Sequence, residues 1–230
     1  MSGADPADAR VRLAQPEHFA NRRDAGRRLA EHLSGLAAAD PVIVALPRGG
    51  VPVASEISLA LGAPLEIFGV RKLGAPGNPE YGVGAIAEDG TRVIDPEATA
   101  VLGICNGELE RITEHERTEL WRRVQAYRGD RPPPNLRGRT VIIVDDGAAT
   151  GLTDAAAIRA IRRQEPRRVI LALPVCSTEA LELLRGEADQ VVCLRAPRML
   201  YGVGHWYRDF TQVTDQEVID ALHRPTSAAA

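Results

Sequence analysis

Thr140-Val-Ile-Ile-Val-Asp-Asp-Gly-Ala-Ala-Thr-Gly-Leu-Thr-Asp154 is the stretch on which the fold turns. Its first five residues are β-branched and show no apolar/polar alternation, as in a strand covered on both faces. The strand ends in two carboxylates, Asp145 and Asp146. A loop of small and hydroxyl residues follows, and a helix is predicted over Asp154 to Arg163. In open α/β sheets, ligands bind at the carboxyl ends of strands. The turn from Ala148 to Thr153 can turn several backbone N–H groups toward one anion, and the helix adds its positive N-terminal dipole. Thr150 and Thr153 add hydroxyl donors, while Gly147 and Gly151 let the backbone come close. This is a phosphate cradle without a lysine. The two acids before it suit neighbouring sugar hydroxyls, because a carboxylate accepts several hydrogen bonds.

A second run of the same kind, Val42 to Leu46, precedes Pro47-Arg48-Gly49-Gly50 and a helix predicted over Val53 to Leu61. Further strands are predicted at Leu65–Val70, Arg168–Val175 and Gln190–Leu194. Helices are predicted at His18–Ala37 and Ser177–Leu184, and a last one is opened by the capping box Thr214-Asp-Gln-Glu217. Strands alternating with helices predict an α/β fold, a mainly parallel twisted sheet flanked by helices, with right-handed crossovers. Ala85 to Ile94 reads as a hairpin turning at Asp89-Gly90. The glycines and prolines of Arg71 to Tyr81, RKLGAPGNPEY, predict a mobile loop. The segment from Pro96 to Arg128 reads as one charged helix with Leu109, Ile112, Leu120, Val124 and Tyr127 inward. One domain over 1–224 is expected, with a core at about 40–195, an inserted helical segment at about 96–130 and a small C-terminal hood lobe at about 196–224. A disordered tail is expected at 225–230.

The chain has 230 residues, 44% of them hydrophobic, and 28 basic against 31 acidic side chains. A net charge of −3 gives no electrostatic case for nucleic acid or an anionic membrane. Apolar runs fall far short of the roughly 20 residues of a membrane span. Met1 to Asp8 lacks the basic and apolar stretches of a secretory signal. Three scattered cysteines fit a reducing cytoplasm. The histidines have no zinc-ligand spacing, and neither GxSxG nor GxxxxGK[ST] occurs. Arg22, Arg23, Arg27 and Arg28 read as the solvated face of the first helix.

The acid pair followed by Thr-Gly-x-Thr resembles the ribose-phosphate signature of type I phosphoribosyltransferases, and every position of that pattern is matched. The likeness covers about residues 40 to 195. It is nearest to bacterial stand-alone or hydrolase-fused members, which carry PRGG, RK-GAPGNPE and a WY-DF segment. The resemblance implies Mg2+-dependent transfer of a phosphoribosyl group from phosphoribosyl pyrophosphate to a nitrogen acceptor. Asp145 and Asp146 would hold ribose hydroxyls, directly or through the hydrated metal. Gly147, Ala148, Ala149, Thr150, Gly151, Leu152 and Thr153 would bind the 5′-phosphate. Arg48, Gly49, Gly50, Arg71 and Lys72 would hold pyrophosphate, in a loop that in the family often has a non-proline cis peptide, with Lys72 serving turnover. The segment after Arg71-Lys72 would close over the reacting centre.

In 6-oxopurine members an aspartate precedes the Thr-Gly pair; here Ala149 stands there, which fits the orotate or adenine type better. The aromatics of Tyr201 to Phe210 either stack on a base or pack the C-terminal lobe. A cytoplasmic homodimer is expected. Two other readings use the same loops: a non-catalytic sensor of phosphoribosyl pyrophosphate or a nucleotide, and a phosphoribosyl phosphohydrolase or nucleotide phosphorylase.

Overall fold

The computed structural model describes residues 18–224. The expected disordered tail, 225–230, and the residues tested for a secretory signal lie outside them. The frame is a five-stranded parallel sheet in the order β2-β1-β6-β7-β8. Its strands are β1 (Pro41–Ala45), β2 (Leu65–Ile67), β6 (Thr140–Val144), β7 (Arg168–Val175) and β8 (Gln190–Arg195). β1 and β6 pair residue for residue from Pro41↔Thr140 to Ala45↔Val144. The chain leaves β1 toward one edge of the sheet and β6 toward the other. That reversal is the switch point where open α/β sheets bind ligands.

Strand alternation divides the core into two layers. Val42, Val44, Val141, Ile143, Val169 and Leu171 face α5 (Leu152–Arg162). Ile43, Ala45, Ile142, Val144, Ile170 and Ala172 face α1 (Arg22–Leu33) and α2 (Gly50–Leu61). Both faces are thus apolar, as the unalternating sequence of β6 demands. The predicted first helix is shorter than its apolar spacing suggests, because 34–39 tighten into a 3-10 turn ending at left-handed Asp40. The terminal helix α7 (Asp215–Leu222) begins with the expected capping box.

Two expectations change between residues 65 and 87. Leu65 to Val70 is not one strand. β2 stops at Ile67, the backbone turns at Phe68-Gly69, and β3 (Val70–Ala75) starts a second sheet with β4 (Asn78–Ala87) and β5 (Arg92–Ile94). Consequently Arg71 to Tyr81 is not a loop. Its glycines and prolines build an irregular antiparallel hairpin whose register shifts on both sides of Gly74 and whose tip is Pro76-Gly77. Breaker residues at a bulge look like loop residues in a linear reading. The hairpin turning at Asp89-Gly90 is present, with Gly90 at φ 86°.

The charged segment is likewise two helices, α3 (Pro96–Val101) and α4 (Asn106–Arg128), broken near Gly103 at φ 64°. α4 lays Leu120 and Val124 on the small sheet. A buried ion pair fixes the junction between the two sheets. Arg128 Nη2 donates to Glu88 Oε1 at 2.8 Å and to the Ile67 carbonyl at 3.0 Å, while Gly69 N–H donates to Glu88 Oε2 at 2.7 Å. Both side chains are 7% exposed. Burial pushes the Glu88 carboxyl above its ordinary range, and Arg128 and the Gly69 N–H oppose that shift. The remaining helix, α6 (Thr178–Arg185), is capped by the Ser177 hydroxyl. No helix among the described residues is long and apolar enough to cross a membrane.

Removing one partner of a buried pair strands the other charge, at a cost of about 3–5 kcal/mol. Arg128→Ala should therefore lower stability by that order in denaturant unfolding. Arg128→Met combined with Glu88→Gln should recover part of the loss.

Candidate active site

β1 and β6 end side by side, so the loops that follow them form one site. Leu46 N–H donates to the Val144 carbonyl at 2.9 Å and extends the pairing by one residue. The chain then bends through a cis Pro47–Arg48 peptide into Gly49-Gly50 and α2. The two glycines rest on the acid pair. A Cβ on Gly49 would lie 2.0 Å from Asp146 Oδ2, and one on Gly50 would lie 2.5 Å from the Val144 carbonyl oxygen. No side chain fits at either position, so the contact requires glycine.

The acids are in unequal surroundings. Asp146 Oδ2 accepts from Arg22 Nε at 2.7 Å, and its carbonyl accepts from the Tyr207 hydroxyl at 2.6 Å. Asp146 N–H donates to Asp145 Oδ1 at 2.8 Å. Burial raises the Asp146 carboxyl, and the Arg22 guanidinium opposes it. Asp145 is raised well above the ordinary range by burial and then by Asp146 and Asp154. Asp154, in the first turn of α5, is 2% exposed, and its Oδ1 has no hydrogen-bond partner. Burial, with a contribution from Asp146, pushes its carboxyl up to about 7. Three carboxyl groups thus cluster here, and a guanidinium bonds to one of them, Asp146.

In the turn expected to cradle a phosphate, the unpartnered backbone N–H groups begin one residue later than the sequence suggests. Ala148 is buried, and its N–H is taken by the Val175 carbonyl at 3.0 Å. Ala149 and Thr150 are exposed. The N–H groups of Ala149, Thr150 and Gly151 have no partner among the described residues. Gly151 caps α5 with φ 75°, a left-handed turn that glycine adopts without strain. Ser177 holds the loop from behind, its hydroxyl donating to the Ala149 carbonyl at 2.7 Å. Gly147 lies between the acids and the cradle, and Leu152 and Thr153 begin α5.

Arg71 and Lys72 are not on a loop but in β3, at the wall of a cleft of about 870 Å³ that reaches from Pro47 and Thr153 to α4. Arg71 Nε donates to Glu116 Oε2 of α4 at 2.5 Å. Arg48 Nη1 lies 3.5 Å from Asp215 Oδ1 at the start of α7, and the Tyr127 hydroxyl donates to that same oxygen at 2.5 Å. The expected site residues therefore fall into two groups. Gly49, Gly50, Asp145 and Asp146 touch, and Arg71 and Lys72 stand across the cleft.

Sequence reasoning gave no site role to Arg22, Asp154 or Asp215, and left Tyr207 among aromatics that either stack on a base or pack the C-terminal lobe. Arg22 is not on the solvated face. It is 9% exposed, its guanidinium lies 3.7 Å from the Phe210 ring centroid, and its Nη1 donates to the Thr211 carbonyl at 2.9 Å. A signal existed, since Arg22 shares the stripe of Ala25 and Leu29 at helical spacing. Of the C-terminal aromatics, Tyr207 is buried against Phe19, just ahead of α1, and against Phe210, while Tyr201 and His205 are exposed.

A model of the phosphoribosyl transferase domain matches residues 17–197. The chain belongs to the type I phosphoribosyltransferase family. The chain is 42% identical over 206 residues to Rv0571c of Mycobacterium tuberculosis, which carries a provisional phosphoribosyl transferase name. That match takes in 90% of the chain but 46% of the relative, so the chain spans about half the length of the curated relatives it matches. The crystal structure of TT1426 from Thermus thermophilus is 44% identical with a TM-score of 0.73, over 89% of this chain and 97% of that one. The AQ2163 protein of Aquifex aeolicus shares the fold, with a TM-score of 0.50 at 14% identity over 88% of this chain and 85% of that one.

Asp154 gives the chain a pH signature. Its carboxyl rises on folding from 3.8 to about 7. Stability is complete while both folded and unfolded forms are protonated. It is lost as pH climbs from about 4 to about 7. A shift of that size corresponds to roughly 4 kcal/mol. In metal-free buffer, Asp154→Asn should remove its own share of the loss of stability over that interval, leaving the share of Asp145. It should also be more stable than the parent at pH 8. Parallel curves for the two proteins would contradict this reading.

Proposed function

We propose that the chain transfers a phosphoribosyl group from phosphoribosyl pyrophosphate to a nitrogen acceptor, releasing pyrophosphate. The observation that carries the reading is the seat of Gly49 and Gly50 on Asp145 and Asp146, beside the outward N–H groups of Ala149 to Gly151. The site presents an anion cradle, a pair of hydroxyl acceptors and a glycine loop at one switch point. Those are the three recognition elements that a phosphorylated sugar with a pyrophosphate leaving group needs.

Among the described residues, no group of three or more His, Cys, Asp or Glu is placed to hold a metal ion by itself. The donor chemistry nevertheless fits Mg2+, a hard cation that keeps several waters and takes carboxylate and phosphate oxygens. Asp145 and Asp146 would hold it together with the substrate, and their excess negative charge over Arg22 favours a cation. Bound Mg2+ would supply charge neutralisation for the departing pyrophosphate.

The chain's own residues do the positioning. Asp145 and Asp146 accept the ribose hydroxyls and fix the ring. Ala149, Thr150, Gly151 and Thr153 hold the 5′-phosphate at the start of α5, with Gly147, Ala148 and Leu152 setting the loop's path. Arg48, Gly49 and Gly50 hold pyrophosphate from the β1 side, and Arg71 and Lys72 hold it from the hairpin. Positive charge develops on the sugar carbon as the bond to pyrophosphate breaks, and the carboxylates lie on that side of the site. The lone pair of the acceptor nitrogen then forms the new bond from the opposite face, and an acceptor that carries an N–H passes that proton to the released pyrophosphate or to water. Catalysis here is positioning and electrostatics, without a covalent nucleophile. The same reading takes residues 1–224 as one domain in a cytoplasmic homodimer.

Calorimetry with phosphoribosyl pyrophosphate and Mg2+ tests this directly. Asp145→Asn with Asp146→Asn should abolish binding while leaving the circular dichroism spectrum intact; unchanged affinity would remove the acids from the site. Lys72→Ala should lower kcat for pyrophosphate release by tenfold or more and change affinity for ribose 5-phosphate less than threefold. Equal losses would make Lys72 a binding cation only.

A further inference from the structure

The cleft between the β3–β4 hairpin and α4 is cationic in a chain whose net charge is −3. Arg71, Lys72, Arg111 and Arg123 line it with His115, against the single carboxylate of Glu116. Glu116 is engaged by Arg71, so its charge is already matched. Elsewhere α4 cancels its own charges at helical spacing: Arg117 pairs with Glu114, and Arg122 and Arg123 pair with Glu119. Arg111 breaks that habit. Among the described residues it has neither an ion pair nor a hydrogen bond, and His115 has none either. The two stand four residues apart, on one face of the helix. Ile112 lies between them on the cleft wall, and Val70, Ala75 and the hairpin prolines supply apolar surface opposite.

A guanidinium fork, a neighbouring imidazole and an apolar wall are the complement of a flat ring bearing one carboxylate. The cleft also reaches Pro47 and Thr153, the edges of the pyrophosphate and phosphate loops. We propose that this cleft is the acceptor site and that it takes a planar nitrogen heterocycle carrying a carboxylate, held by Arg111 and His115. The assignment of the bound ring as an acceptor rests on the phosphoribosyl-transfer reading above; the preference for the anion rests on the cleft alone. It gives the 96–130 segment a role, since α4 supplies one wall of the site and the groups that choose what enters it.

Matched pairs that differ in the charge test it: nicotinate against nicotinamide, and orotate against uracil. Each is titrated into the full chain by calorimetry, with and without phosphoribosyl pyrophosphate and Mg2+. At least one acid should bind tenfold or more tightly than its neutral partner. Arg111→Met with His115→Gln, both exposed positions, should bring that ratio below threefold and leave phosphoribosyl pyrophosphate affinity unchanged. No preference for either acid, or a preference that survives in the double variant, overturns the proposal. Failure of the wild-type chain to bind phosphoribosyl pyrophosphate, with the acid preference and its loss in the variant intact, would remove the transfer reading and leave the anion-selective cleft standing. Acid-independent binding alongside tight, Asp145- and Asp146-dependent binding of phosphoribosyl pyrophosphate would do the reverse.

Discussion

The organisation of this molecule follows from the burial of negative charge at the point where its sheet reverses direction. Asp145 and Asp146 are half-buried and Asp154 is buried, within one strand end and one helical turn, and the Arg22 guanidinium bonds to Asp146 alone. An ionised carboxylate in such surroundings is costly unless it is paired. The surrounding structure is arranged around that cost. α1 delivers Arg22, the C-terminal segment delivers Tyr207 and Phe210 to hold it, and Gly49 gives up its side chain so that the β1 loop can close over Asp146. A site left with surplus negative charge is also one prepared for a cation and for hydroxyl donors.

Much of this was legible in the sequence, because the parts that were legible are local. β6 and β7 fall where the apolar runs place them, since a strand covered on both faces needs an unbroken apolar run and nothing else. The acid pair and the glycine loop follow their strands directly. The misread parts depend on partners far along the chain. The segment 71–81 contains the residues of a loop, yet it is held as a hairpin by pairing with residues 78–87 and by the α4 face laid across it. Arg22 looks like one of four equivalent arginines until Asp146, far away in sequence, gives it a partner. The break between β2 and β3 has its cause in Glu88, whose carboxylate takes the Gly69 N–H.

The two sheets divide the labour. The parallel sheet supplies rigid strand ends, and the loops proposed to hold anions grow from them with little freedom. The antiparallel sheet and α4 form a separate layer, packed against its own small core of Leu73, Val83, Ile86, Leu120 and Val124. Arg71 and Lys72 belong to this second layer, whereas Arg48 and the acids belong to the first. The Arg128–Glu88 pair is set where the backbone crosses from one sheet to the other and ties the two layers together.

The Arg22 contacts also bear on how the chain acquires its structure. The bond to Asp146 joins residues 124 apart, and the bond to Thr211 joins residues 189 apart. Each strand–helix unit of the sheet can assemble from neighbouring segments, but these contacts close loops that span most of the polypeptide. Contacts of such long range slow folding, because their closure entropy is spent before they return any stability. The acid pair gains its counter-charge only when the beginning and the end of the described chain have both docked. Competence at this site is therefore a report on the completeness of folding: a nascent or nicked chain can own every loop of the site and still lack the charge balance that makes it one.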